Sequence, residues 1–258
     1  MKPTFLGHNR LLLTAMVQQE EPESCISVMR NGIYDGAGAF GVQLCNLPSA
    51  CRTEEEYRRI FCYAEDLPIY VTNYRAKHSA GLTDEERAEG LLLALRAGAT
   101  LCDVMGDLFG PAPLELSCDP HVIARQEQLI CRIHSMGGEV LMSCHTGCFL
   151  PPEQVLEIAK AQEVRGADIA KIVTQANSEE ELLENLQASL LMKRELNIPF
   201  LILANGSHCK LQRIIGPMFG SVMVLCVQRY TNRDSREQPL LRAARDALLN
   251  IDWKPCRP

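Results

Sequence analysis

One lysine in this chain calls for a chemical reason. Lys171 interrupts the apolar, strand-like run Ala167-Asp168-Ile169-Ala170-Lys171-Ile172-Val173, and lysine is almost never fully buried without a partner or a task. A lysine held in an apolar pocket has its pKa pulled down from ~10.4 towards neutrality, and its amine becomes a nucleophile for carbonyls. The plainer alternative is a side chain that snorkels to solvent or pairs with Asp168. His145, in Leu141-Met142-Ser143-Cys144-His145-Thr146-Gly147, lies at the exit of the preceding strand-like run. It suits a general acid and base working near its own pKa, or a loop residue bonded to backbone. Two arginines follow strand-like runs in the same way, Arg75 after Thr72-Asn73-Tyr74 and Arg213 after Asn205 to Gln212. A planar guanidinium grips both oxygens of a carboxylate; otherwise each is a surface charge.

These residues need a frame that brings strand ends together. Short apolar runs alternate with longer helical stretches from one end of the chain to the other, the pattern of βα units around a parallel sheet. Eight strands are expected: Leu11–Val17, Ala39–Leu44, Pro68–Asn73, Leu101–Met105, Glu139–Ser143, Asp168–Val173, Pro199–Leu203 and Ser221–Cys226. The helices between them open on Thr53, Thr83 and Ser178, each with an acid three residues later as a capping box requires. Pro151-Pro152 gives the helix after the fifth strand a rigid start, while Gly98 and Gly137-Gly138 punctuate turns. No GxGxxG turn follows the first strand, so an α/β fold of one closed (β/α)8 TIM barrel spanning 1–258 is expected over an open dinucleotide-binding sheet. Lys171 then ends the sixth strand and faces the mouth where such barrels do their chemistry.

The 258 residues are close to the ~250 that one such barrel takes. A net charge of -6 without a basic stripe argues against a nucleic-acid partner. Leu11 to Val17 is among the longest apolar runs, far short of the ~20 residues of a membrane helix, and no leader pattern opens the chain, so no membrane partner and a cytoplasmic setting are expected. The twelve cysteines read either as a disulfide set or as small apolar residues. Cys144, His145 and Cys148 come nearest to a metal cluster, but neighbours on a strand face opposite ways, so no metal is expected.

The chain, most strongly from Gly137 to Gln238, resembles the type I 3-dehydroquinate dehydratases. The resemblance rests on Gly137-Gly138-Glu139, on Ser143-Cys144-His145 where the family carries Ser-x-His, on Gly166-Ala167-Asp168-Ile169-Ala170-Lys171-Ile172, and on Arg213 ahead of Gly216-Pro217-Met218-Phe219-Gly220-Ser221. It implies that Lys171 forms a Schiff base with a ring ketone, the iminium serving as the electron sink with no cofactor. It implies that His145 moves protons, that Arg213 holds a carboxylate, and that Gln238 closes over the substrate from the loop after the eighth strand. The partner implied is a small carboxylated ketone, and the protein a homodimer.

Before Gly137 the chain departs from the family. Gln43-Leu44-Cys45 stands where a Glu-x-Arg reaches substrate hydroxyls, Ser79 where a glutamate orients the histidine, and Met105 where an acid ends the fourth strand, although Asp103 remains. Asp234 aligns with the family's loop serine, with Ser235 beside it. Three readings follow: a divergent 3-dehydroquinate dehydratase, a Schiff-base aldolase or lyase for another carboxylated ketone, and a barrel that binds a metabolite or protein without reacting. Arg75, Gln43 and Ser235 join Arg213 and Gln238 as the expected substrate contacts.

Overall fold

The structure, a computed structural model, describes residues 3–8, 10–232 and 234–251. Strands and helices alternate through eight rounds: β1 (Leu12–Val17), α1 (Pro22–Asp35), β2 (Ala39–Gln43), α2 (Glu54–Phe61), β3 (Ile69–Thr72), α3 (Asp84–Arg96), β4 (Leu101–Met105), α4 (Pro120–Ser135), β5 (Glu139–His145), α5 (Pro152–Val164), β6 (Ile169–Gln175), α6 (Glu179–Glu195), β7 (Phe200–Asn205), α7 (Cys209–Ile215), β8 (Met223–Val227) and α8 (Leu241–Leu248). All pairings are parallel, in the order β7-β6-β5-β4-β3-β2-β1-β8. The amide of Val222 donates to Phe200 O at 2.9 Å and draws the two outer strands together, which nearly closes the (β/α)8 barrel.

The helix starts follow their caps. Thr53, Thr83 and Ser178 each accept from the amide three residues on. The reciprocal bond from the acid forms at Thr83, where Glu86 takes the Thr83 amide at 2.7 Å. After Ser178 the acid reaches one residue further back, Glu181 accepting from the Asn177 amide at 2.7 Å. Pro152 opens α5 at a position whose amide has no helical partner to lose.

Side chains alternate between two apolar regions, as a period of two dictates. Outward residues such as Phe40, Val42, Val71, Cys102, Val104, Val140 and Met142 pack under the helices. Inward residues such as Leu12, Ala39, Leu101, Leu141, Ile169, Leu201 and Met223 fill the barrel. Phe5 is buried among this inner set, and its amide donates to Glu139 at 2.9 Å, tying the N-terminal segment to the first residue of β5. Gly41 is required within: a Cβ there would run into Met16, which crosses the interior beside Tyr70. The cysteines among the described residues are all free, and seven of the eleven are buried or half-buried, the small apolar role rather than a disulfide set.

No helix among the described residues is long and apolar enough to cross a membrane.

Candidate active site

β5 and β6 run two residues further than their sequences suggested, to His145 and Gln175. Lys171 is therefore the third residue of seven in β6 rather than its end, and it sits opposite Ser143 in the register, with His145 opposite Val173. Two-residue alternation then aims Ser143, His145, Lys171 and Val173 into the barrel. Cys144 faces the other way, into the cluster under α5 and α6, so it and His145 diverge.

Lys171 is 3% exposed, and its surroundings are polar, unlike the apolar pocket expected. Nζ lies 2.5 Å from the Tyr74 hydroxyl, 3.0 Å from that of Tyr70 and 3.1 Å from Asp103 Oδ2. Tyr70 and Tyr74 both donate to Oδ2, and Ser143 donates to Oδ1. Burial alone would raise the Asp103 carboxyl, but the lysine charge and these three hydroxyls outweigh it and hold it below the usual aspartate value. Burial, and then the Asp103 charge, push both phenols well above their ordinary value, so they are neutral hydroxyls.

His145 is gripped from the loop after β4. Glu115 Oε2 accepts from the His145 amide at 2.9 Å and meets ring Nδ1 at 2.7 Å. Burial would raise Glu115, yet its hydrogen bond and ion pair with His145 bring it below the usual glutamate value. An ionised carboxylate only accepts, so Nδ1 carries a hydrogen, and whenever the ring is neutral the lone pair is on Nε2. The grip needs an unusual backbone: Leu114 and Glu115 have φ of 59° and 51°, a region L-residues with side chains seldom occupy. Gly106 makes room, since a Cβ there would fall 2.6 Å from Glu115 O and 2.7 Å from Cys144 Sγ. Tyr74 packs edge-on against the His145 ring, centroids 4.9 Å apart.

A cavity of about 140 Å³ opens above Lys171. Lys171, His145, Arg213, Gln238 and Gln43 all line it, together with Thr72, Tyr74 and Asn205 and an apolar wall that includes Met16, Leu203 and Leu225. Arg213 is 5% exposed; Nε donates to Ala204 O and Nη2 to Asn205 Oδ1, both at 2.9 Å. Burial lowers its guanidinium to about 10, and no carboxylate among the described residues pairs with it. Two further cavity groups lack partners among the described residues: Thr72 Oγ1 and Gln238 Oε1 are buried without hydrogen bonds. Gln238 arrives on the segment after β8, which is fastened to the end of β1 through Gln19 Nε2 to Asp234 Oδ1 at 3.1 Å and the Ser235 amide to Gln18 Oε1 at 2.8 Å.

Four expectations are corrected. Arg75 does not face the mouth: alternation from Tyr70 through Thr72 puts Tyr74 inward and Arg75 outward. There it salt-bridges Asp84 and Asp107, both at 2.7 Å. Ser235 stays off the cavity, its hydroxyl turned to Glu237. Cys45 is buried in a 3-10 turn after β2, outside the cavity, so only Gln43 of the Gln43-Leu44-Cys45 trio reaches it. Ser79 is bonded to Asn73 at 2.7 Å and has no contact with His145, whose orienting acid is Glu115. The sequence reading missed Glu115, Tyr70, Tyr74 and Asn205 as site residues. For the two tyrosines and Asn205 the inward strand parity was the available signal, whereas nothing local marked Glu115.

The type I 3-dehydroquinase family model matches residues 48–251. A 3-dehydroquinate dehydratase of Geobacillus thermodenitrificans is 31% identical over 181 residues, 68% of this chain and 63% of that relative. One of Klebsiella pneumoniae is 29% identical over 161 residues, 61% of this chain and 59% of the relative. The matched stretch is thus under two thirds of either relative's length. Among solved structures, the 3-dehydroquinate dehydratase of Geobacillus kaustophilus superposes with a TM-score of 0.80 at 20% identity, covering 95% of this chain and 92% of its own. The type I enzyme of Clostridium difficile gives 0.78 at 16% identity, over 95% and 93%. At such identities these two likenesses speak for the fold alone. On a sequence match running from residue 48 to residue 251 of 258, the chain belongs to the type I 3-dehydroquinase family.

Proposed function

We propose that the protein is a Schiff-base hydro-lyase that converts 3-dehydroquinate to 3-dehydroshikimate and water. The observation that carries this reading is one cavity lined by a buried amine and by a buried guanidinium that pairs with no carboxylate among the described residues. A carboxylated ketone satisfies both: Arg213 takes the carboxylate and Lys171 the carbonyl carbon. Thr72 Oγ1 and Gln238 Oε1, which have no hydrogen bonds among the described residues, suit the ring hydroxyls of such a substrate.

Lys171 attacks the ketone and the iminium forms. His145 Nε2, fixed by the bond from Nδ1 to Glu115, removes the adjacent proton, and the electron pair is delocalised into the iminium. The hydroxyl one carbon further departs as water with a proton returned from His145, and hydrolysis of the imine frees Lys171. Asp103 stays ionised beside the iminium, where it replaces water as the counter-charge. Gln43 contacts the ring where other members of the family are implied to use a charged pair, so a Michaelis constant above theirs is expected.

The test is borohydride reduction with 3-dehydroquinate, followed by mass spectrometry of the labelled peptide and an absorbance assay for the enone product. Label on Lys171 alone is expected. His145→Ala should still be labelled while turning over ~100-fold to 10,000-fold more slowly. Label on Lys160, Lys193 or Lys210, or turnover unaffected by Lys171→Ala, would sink the assignment.

A further inference from the structure

We propose that Tyr74 is a catalytic residue, a hydroxyl relay that carries both protons from Lys171 Nζ to the ketone oxygen as the imine forms. The inference rests on the Schiff-base reading of Lys171 and concerns imine formation, the step before the proton abstraction proposed for His145. The Tyr74 hydroxyl accepts from Nζ at 2.5 Å and donates to Asp103 Oδ2 at 2.5 Å, and Tyr74 is one of the residues lining the cavity in which the carbonyl must lie. Tyr70 makes the same two bonds, to Nζ at 3.0 Å and to Asp103, and also borders the cavity, but it enters from four residues deeper in the barrel and has no exposed surface. Tyr74 is half-buried, nearer the mouth than Tyr70, so its hydroxyl is the one that can turn to an incoming oxygen.

A protonated lysine has no lone pair, and its conversion to an iminium requires two protons to leave nitrogen and two to arrive on oxygen. In the first passage one Nζ proton moves to the Tyr74 oxygen as the Tyr74 proton moves to the carbonyl oxygen. The freed nitrogen pair forms the C–N bond, and the C–O π pair is taken up by the new hydroxyl. In the second passage another Nζ proton moves to Tyr74 as Tyr74 protonates that hydroxyl. The C–O bond breaks, water leaves, and the nitrogen pair closes the C=N bond. Nitrogen keeps one hydrogen and its positive charge, Tyr74 ends as it began, and no outside base is consumed. A hydroxyl has one hydrogen and two lone pairs, which this double role requires. Asp103 holds its charge throughout, since Oδ2 retains Tyr70 and Nζ, and Oδ1 retains Ser143, when Tyr74 turns away. Read backwards, the same relay hydrolyses the product imine.

The experiment times imine formation by quenching with borohydride at intervals and weighing the Lys171 peptide, for wild type, Tyr74→Phe and Tyr70→Phe. Two probes are used: 3-dehydroquinate, and glyoxylate as a small carboxylated aldehyde. Tyr74→Phe is expected to slow imine formation about 100-fold, the lower range of positioned proton transfer. Tyr70→Phe removes the same bonds from Nζ and Asp103 but not the hydroxyl at the mouth, so it measures the electrostatic share, and Tyr74→Phe should be slower than it by about 10-fold or more. Equal slowing in both variants, or none in Tyr74→Phe, overturns the relay. If Tyr74→Phe does not fold, 3-fluorotyrosine at position 74 keeps the shape while making the phenol more acidic, and an unchanged rate of imine formation overturns the relay as well. Labelling of the wild type by glyoxylate but not by 3-dehydroquinate would retire the dehydratase reading alone, and the variants would then be judged on glyoxylate. A protein that neither probe labels overturns both.

Discussion

Lys171 and Asp103 form a buried ion pair at 3.1 Å whose carboxylate has no exposed side-chain surface. Removing one member leaves the other charged and buried without its partner, which typically costs about 3 to 5 kcal/mol. A lysine at a strand end facing solvent would be removable without such a penalty; this one, in mid-strand, is not. Lys171→Ala is therefore expected to lower the urea midpoint as well as abolish turnover. Lys171→Met combined with Asp103→Asn, which removes both charges at similar volume, should recover most of the lost stability and none of the activity. If Lys171→Ala melts like wild type, the pair as described is wrong.

The loop between β4 and α4 is the element that holds His145, the base of the proposed reaction. Arg165, at the end of α5, pins it with Nη1 to Gly106 O at 2.9 Å and Gln126 Oε1 at 3.0 Å, and with Nη2 to Ser117 O. Gln126 adds Nε2 to Gly106 O at 2.9 Å and Leu108 O at 3.0 Å. These bonds stabilise the left-handed backbone at Leu114 and Glu115. Gly106→Ala should push the loop off β5 and loosen the Glu115 grip. A misplacement of about 1 Å can cost on the order of 100-fold in rate, so kcat is expected to fall by that order. The Michaelis constant and Lys171 labelling should change little, because the cavity residues that meet the substrate lie on other elements. A rise in the Michaelis constant with unchanged kcat would show that the loop shapes the pocket rather than the base.

Across the whole molecule the buried acids set the response to acid. Asp103 and Glu115 are held below their ordinary values, and so is Asp84, where burial is outweighed by Arg75 and the Phe109 amide. Unfolded carboxyls titrate near ~4, so the unfolded chain binds more protons than the fold does in the interval below that. The contribution of these groups is full above the unfolded value and disappears as the pH falls through the folded one. Urea midpoints should be level above about pH 5 and drop below about pH 4. In the variant carrying Lys171→Met and Asp103→Asn the drop should be shallower. A midpoint that falls equally in both proteins would mean that Asp103 contributes nothing to the acid transition.

Much of the architecture was legible in the residues themselves. Apolar runs at strand length, hydroxyl caps before acidic helix starts and the absence of a nucleotide-binding turn were enough for eight βα units and for the side of the barrel on which Lys171, His145 and Arg213 would act. These features depend on neighbours within a few residues, where sterics and local hydrogen bonds decide. Parity was harder: whether Tyr74 or Arg75 faces inward turns on a single residue of register, and a slip of one reverses the two faces. Gln43 and Cys45 were separated by the same kind of detail, the end of β2 and the turn that follows. Glu115 was beyond local reading, because it meets His145 across 30 residues from a backbone conformation that no glycine announces. Asp103 and Tyr70 are unremarkable as strand residues and Tyr74 as a residue just past a strand, and only the closing of the barrel puts their oxygens around one nitrogen. The local pattern determined which residues point towards a common mouth; tertiary packing decided which of them meet, because long-range contacts depend on the sum of the intervening turns and no short window of sequence contains that sum.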